Sequence, residues 1–242
     1  MDLKKDLFDE LNDGFSKFGL KPTDLQLSQF MQYYELLTEW NTFMNLTAIT
    51  EWNEVCTKHF IDSVSLCKAI DCTKALSIID IGTGAGFPGI PLKIMFPDLR
   101  ITLLDSLGKR VKFLDEVIHQ LGLEQIDAIH GRAEDFAKPE LLRETFDVCV
   151  SRAVANLSTL SEYCIPYVKV GGFFVSYKSE KIAEEIDVAK NALSLLGAAI
   201  TQQVGFVLPN SDIYRNLLVI KKEKATPKKY PRKAGLPSKE PL

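Results

Sequence analysis

The sequence is poor in the residues that hold metals or staple small folds. Its five cysteines (Cys56, Cys67, Cys72, Cys149, Cys164) form no CxxC pair, and its three histidines (His59, His119, His130) stand far apart. That spacing argues against a zinc site, so no metal is expected. An odd number of thiols and no apolar leader at the N-terminus point to reduced cysteines and a cytoplasmic protein. No apolar run reaches the roughly 18–20 residues that cross a bilayer, so no membrane partner is expected. There is no internal repeat, and no low-complexity stretch precedes the last twenty or so residues.

What is present fits an ordinary globular domain: 46% hydrophobic and 25% charged residues in a chain of 242. The net charge of −3 is unevenly spread. Residues 221–242 carry eight basic and two acidic side chains, a local +6, on a body of −9. A basic tail on an acidic body is a candidate contact for an anionic polymer.

Residues 1–72 read as a helical extension. Leu3, Leu7, Leu11 and Phe15 recur on one helix face. Thr23 or Asp24 can cap a second helix carrying Leu27, Phe30, Tyr34, Leu37 and Trp40. After a connection at Asn45–Ile49, Thr50 can cap a third helix through Val55, His59, Ser63 and Leu66. From residue 73 the pattern changes to short β-branched runs at Ala75–Ile81, Arg100–Asp105, Ile126–His130, Phe146–Ser151 and Gly172–Lys178. Helical stretches separate them at Pro91–Met95, Lys109–Leu121, Leu157–Val168 and Lys181–Leu196. Such alternation predicts βαβ units and a buried parallel sheet. The alternation ends in a hairpin, Ala199–Leu208 and Arg215–Lys221, around Pro209-Asn210-Ser211-Asp212. An α/β sheet, mostly parallel and closed by an antiparallel hairpin, is the Rossmann-like layout of class I S-adenosylmethionine methyltransferases. That domain is expected over 73–224, with a basic tail over 225–242.

The loop after the first strand carries the strongest functional signal: Asp80-Ile81-Gly82-Thr83-Gly84-Ala85-Gly86-Phe87-Pro88-Gly89. Glycines there allow a sharp turn and close approach of backbone to a ligand. Dinucleotide sites use GxGxxG, which leaves room for a pyrophosphate. This loop is GxGxG, with an acid two residues before the first glycine. S-adenosylmethionine has no phosphate, and Asp80 can help position its amino group while Gly82, Gly84 and Gly86 lie along its methionine and ribose portions. Asp105 ends the next strand and can accept from both ribose hydroxyls. Ala133 and Glu134, after the third strand, fall where the adenine edge would be read. Arg152, at the rim of the fourth, can hold the cofactor carboxylate, a substrate phosphate or a base edge, or pair with a nearby acid.

The acceptor is narrowed by what is missing. No Asn/Asp-Pro-Pro-aromatic sequence follows the fourth strand to orient an exocyclic amine. Cys149 and Cys164 sit at packing positions, not on a nucleophile loop. No lysine-and-acid set for a ribose hydroxyl is evident. Guanine N7 needs no base, because its lone pair carries no proton, and a site without an evident catalytic residue suits it. Lys178, at the end of the fifth strand, can meet a phosphate or stand in solvent.

The chain resembles the bacterial 16S rRNA guanine-N7 methyltransferase family also called glucose-inhibited division protein B. The resemblance rests on Asn45-Leu46-Thr47-Ala48-Ile49, His59-Phe60-Ile61-Asp62-Ser63, Asp80 to Pro91, Leu104-Asp105-Ser106 before Lys109-Arg110, Gly131-Arg132-Ala133-Glu134, Ser151-Arg152-Ala153-Val154 and Tyr230-Pro231-Arg232-Lys233. It implies methylation at N7 of one guanine in the 530 loop of 16S rRNA, with Gly82, Phe87, Ala133, Glu134 and Arg152 as cofactor contacts. The RNA, free or in a small ribosomal subunit or its precursor, would meet Lys178, Lys228, Lys229, Arg232 and Lys233. Two positions depart from the family pattern: Ser179 stands where a glycine is usual, and Ala234 where a proline is usual. Alternatives are a class I methyltransferase with another RNA or small-molecule acceptor, a ribosome assembly factor, and a nicotinamide-dependent oxidoreductase. The glycine spacing argues against the last, and the +6 tail against an uncharged small acceptor.

Overall fold

A computed structural model describes residues 3–152, 155–180 and 182–242, with side chains from Leu7 onward. Ala153, Val154 and Lys181, named above, and the Leu3 side chain lie outside the described residues.

Two helices open the chain, α1 (Leu3–Ser16) and α2 (Asp24–Met44). Thr23 caps α2: its hydroxyl accepts from the Gln26 backbone N–H while the Gln26 side chain accepts from the Thr23 N–H. This reciprocal pair satisfies two orphan donors of the first turn. Asn45 ends the helix in a left-handed conformation, φ 50°. Asn41 then accepts from the Leu46 and Thr47 N–H groups at 2.7 and 2.9 Å, fixing the turn. The next helical stretch is irregular: α3 (Trp52–Val55), a π turn (Cys56–Ile61), α4 (Asp62–Val64) and a 3-10 turn (Ser65–Lys68). The expected cap at Thr50 is not used. Glu51 occupies the N-cap without a side-chain bond, because Trp52 already begins the helix.

The sheet follows the apolar runs: β1 (Ser77–Ile81), α5 (Gly89–Met95), β2 (Arg100–Asp105), α6 (Gly108–Gln120), β3 (Ile126–His130), α7 (Ala133–Phe136), β4 (Phe146–Ser151), α8 (Leu157–Cys164) and β5 (Val168–Lys178). Then come α9 (Ala183–Leu196), β6 (Ala198–Val207), β7 (Tyr214–Lys222) and the short α10 (Leu236–Lys239). The strand order is β3-β2-β1-β4-β5-β7-β6, with β1 to β5 parallel and β7 antiparallel to both its neighbours. Helix α8 stops at Cys164 and β5 already starts at Val168, because Pro166 lies in a 3-10 turn that breaks the helix.

The pleat sends alternate residues to two cores. Ile78 of β1, Ile101 and Leu103 of β2 and Val148 and Val150 of β4 pack with α2, α5, α6 and the π turn. Ile79, Ile81, Leu104 and Cys149 face the opposite core, with α8 and α9. The helices that precede β1 therefore pack on one face of the sheet. Phe15, Phe30, Tyr33, Phe60 and Phe87 form a ring cluster with centroids 5.0–6.2 Å apart in successive pairs. Each of these rings contributes on the order of 1.5–3 kcal/mol by burial.

The C-terminal segment is also fastened. Arg143 donates to the carbonyls of Thr226 (2.6 Å) and Tyr230 (2.7 Å), and Tyr230 is buried.

Candidate functional site

The glycine loop leaves β1 at the carboxyl edge of the sheet. Gly82 and Gly86 have φ of 72° and 99°, the left-handed region. A Cβ on Gly86 would also meet Ile90 Cδ1 at 2.5 Å and the Tyr33 hydroxyl at 2.7 Å. That hydroxyl donates to the Ala85 carbonyl, so α2 grips the loop from outside. From inside, Asp80 Oδ2 accepts from Thr83 Oγ1 (2.7 Å) and the Gly89 N–H (2.9 Å). Asp80 is fully buried, and burial lifts its carboxyl to about 6 against the pull of those two donors. Its Oδ1 has no hydrogen-bond partner. Asp105 ties the loop to β2: Oδ2 accepts from the Gly84 N–H and Oδ1 from the Leu107 N–H, both at 2.9 Å. Arg110 stands 3.4 Å from the same Oδ2.

Two cavities open at this edge. The first, about 400 Å³, is lined by Gly82, Asp105, Ser106, Arg110, Ala133, Glu134, Tyr163 and neighbours. The second, about 700 Å³, is lined by Ile49, Lys58, His59, Asp62, Arg152, Asn156, Tyr177, Lys178, Ser179, Glu185 and Arg215. Ala155 lines both. Both fall within the roughly 300–1,000 Å³ of ligand clefts.

The second cavity is built around a buried network. Arg152 donates to the Lys58 carbonyl (2.8 Å), to Asp62 Oδ2 (3.2 Å) and to His59 Nδ1 (3.2 Å). Arginine has only donors, so Nδ1 accepts, and Nε2–H is left to donate to Thr47 Oγ1 at 3.0 Å. Burial, reinforced by Arg152, lowers the His59 pKa to about 3. His59 is therefore neutral at ordinary pH. Its ring stacks on Phe87 at 4.4 Å, and the Arg152 guanidinium carbon lies 5.1 Å from the centroid of that same ring. Arg215 reaches Asp62 from β7 at 3.2 Å, so one carboxylate serves two guanidinium groups. The π turn carries His59 and leads directly into Asp62, and a widened turn of this kind recurs at functional sites.

Of the nine residues expected at the cofactor, Gly82, Asp105, Ala133 and Glu134 line the first cavity together. Asp80, Gly84, Gly86 and Phe87 do not line it; they shape the loop behind it. Arg152 belongs to the second cavity. Among the expected RNA contacts, Lys228, Lys229 and Lys233 are exposed. The other two are engaged within the fold, and Lys178 lines the second cavity. Arg232 is taken up by the buried Glu162 at 2.7 Å. Lys178 donates to Glu185 (2.6 Å) and the Ala155 carbonyl (2.9 Å). The sequence marks Thr47 and Arg110 only as parts of matching segments and gives no site role to Tyr163 or Arg215. Arg215 carries no sequence signal, and only the pairing of β7 with β5 brings it to the site.

Among the described residues, no His/Cys/Asp/Glu cluster could hold a metal ion, and no helix is long and apolar enough to cross a membrane.

The family model of rRNA small subunit methyltransferase G matches residues 26–214. The Ribosomal RNA small subunit methyltransferase G of Lachnoclostridium phytofermentans is 54% identical over 95% of both chains. That of Clostridium novyi is 50% identical over 100% of both. Among solved structures, a SAM dependent methyltransferase from Aquifex aeolicus covers 66% of this chain and 88% of its own, at 18% identity and a TM-score of 0.50. That likeness concerns the fold: the sheet with its closing hairpin is the class I methyltransferase sheet.

Proposed function

The chain belongs to the rRNA small subunit methyltransferase G family, and from that membership we propose that it methylates N7 of one guanine in small-subunit rRNA, with S-adenosylmethionine as donor. The observation that carries the reading is the pair of cavities meeting at Ala155, one beside the glycine loop and one lined by paired cations.

The residues of the first cavity suit the donor. Asp105 presents a carboxylate to a ribose, and Glu134 presents one to the amino edge of adenine. When bound, S-adenosylmethionine supplies a methyl group on a sulfonium.

The second cavity suits an acceptor that needs no deprotonation. Its imidazole is neutral and already hydrogen-bonded on both nitrogens. Its carboxylates, Asp62 and Glu185, are held by Arg152, Arg215 and Lys178. A hydroxyl or amine acceptor would ask one of these groups to take a proton. Guanine N7 asks only for alignment: its lone pair forms the N–C bond, the S–C pair returns to sulfur, and no proton moves. Holding N7, methyl and sulfur in line can then supply most of the rate.

Titration calorimetry with S-adenosylmethionine tests the reading. The wild type gives a binding heat. Gly82→Asp puts a side chain into the first cavity and sets a second carboxylate beside Asp105, so it loses that heat and at least about 100-fold in methyl transfer. Full transfer by Gly82→Asp would overturn the assignment of the loop.

A further inference from the structure

The basic tail has a structural task at the donor cavity. Glu162, on α8, is fully buried. A carboxylate in that position is costly unless it is paired and hydrogen-bonded. Arg232 supplies the whole set: its Nε lies 3.0 Å from both carboxylate oxygens, its Nη2 2.7 Å from Oε2, and its backbone N–H 2.6 Å from Oε1. The same Nη2 donates to the Glu240 carbonyl at 2.7 Å, closing the tail on itself.

Three residues on, the Gly235 N–H donates to Glu134 Oε1 at 2.8 Å. Gly235 has φ 83°, a conformation that costs a side-chain-bearing residue energy. Thr159, one turn before Glu162–Tyr163 on α8, donates to the Pro237 carbonyl at 3.1 Å. The segment therefore bridges α7 and α8, the two helices that carry Glu134 and Tyr163 into the cavity of about 400 Å³.

We propose that residues 226–240 are a strap that positions the Glu134–Tyr163 wall of the donor cavity, with Arg232 as its buckle. The inference rests on the reading of that cavity as the S-adenosylmethionine site. Arg232 is a positioning residue: it acts on the ligand through Glu162 and through the placement of Gly235. The strap is thus a route by which events at the C-terminus change cofactor affinity without touching the cofactor.

The test compares the full-length wild type with Arg232→Ala, Arg232→Lys and Gly235→Ala, by calorimetry with S-adenosylhomocysteine and by methyl transfer to small-subunit rRNA. Gly235→Ala leaves no buried charge unpaired and keeps the test open if Arg232→Ala does not fold. The Kd rises about tenfold in Arg232→Ala, equivalent to about 1.4 kcal/mol. It rises severalfold in Gly235→Ala and is partly restored in Arg232→Lys. The KM for S-adenosylmethionine rises by more than kcat falls. Wild-type affinity in folded Arg232→Ala and Gly235→Ala overturns the strap and leaves the cavity reading standing. No binding by the wild type overturns the cavity reading, and the strap with it. Wild-type cofactor affinity with weakened RNA binding would make the segment an RNA contact alone and also overturns the strap.

Discussion

His59 shows what a single residue's surroundings decide. Its ring is held by Arg152 on one side and Thr47 on the other, and burial keeps it neutral. The folded protein thus refuses a proton that the unfolded chain accepts below about pH 6.5. Stability from this group is complete above that pH and is lost as pH falls toward about 3. NMR titration of the ring is expected to show no transition between pH 8 and 5, and one near 6.5 would contradict the buried network. The run His59-Phe60-Ile61-Asp62-Ser63 is conspicuous in the sequence but names no partners for His59 and Asp62. Thr47 and Arg215 lie twelve and 153 or more positions away along the chain, and only the fold joins them. Asp105 is legible because strand, loop and acid are local features. The placement of Asp80 behind the loop is not, since burial depends on what α5 packs against.

At the scale of elements, local chemistry and legibility run together. Strands β2, β3 and β4 begin and end where their β-branched runs do, and α2 begins at its capping residue. Thr23→Ala removes one half of the capping box and is expected to cost about 1 kcal/mol of stability, seen as a lower midpoint in chemical denaturation. No change there would mean that tertiary contacts alone hold the start of α2. The π turn reads as ordinary helix in the sequence, because its extra residue leaves no mark on the apolar pattern. The tail is legible only by its charge. Its fastening depends on Arg143, Glu144 and Glu162, acids and bases that look like surface residues until the fold brings them against the tail.

On the scale of the whole molecule, the basic side chains of the C-terminal segment fall into two sets. Arg232 and Lys222 are consumed by internal pairs, whereas Lys228, Lys229 and Lys233 stay exposed. Lys228→Glu with Lys229→Glu is expected to weaken binding to small-subunit rRNA and to flatten its dependence on salt. The slope of log K against log salt should fall by about 0.7–0.9 for each phosphate that the tail no longer neutralises. An unchanged slope would place the RNA elsewhere on the surface.

In the proposed reaction the second cavity presents a base nitrogen, without deprotonation, to a methyl group held in the first. The direct measurement is transfer from S-adenosylmethionine labelled in its methyl group to unmethylated small-subunit rRNA, supplied naked and as assembled subunits, followed by strand scission selective for 7-methylguanine. One scission site is expected, at one guanine carrying all the label. Label on a ribose, an exocyclic amine or a pyrimidine would contradict it.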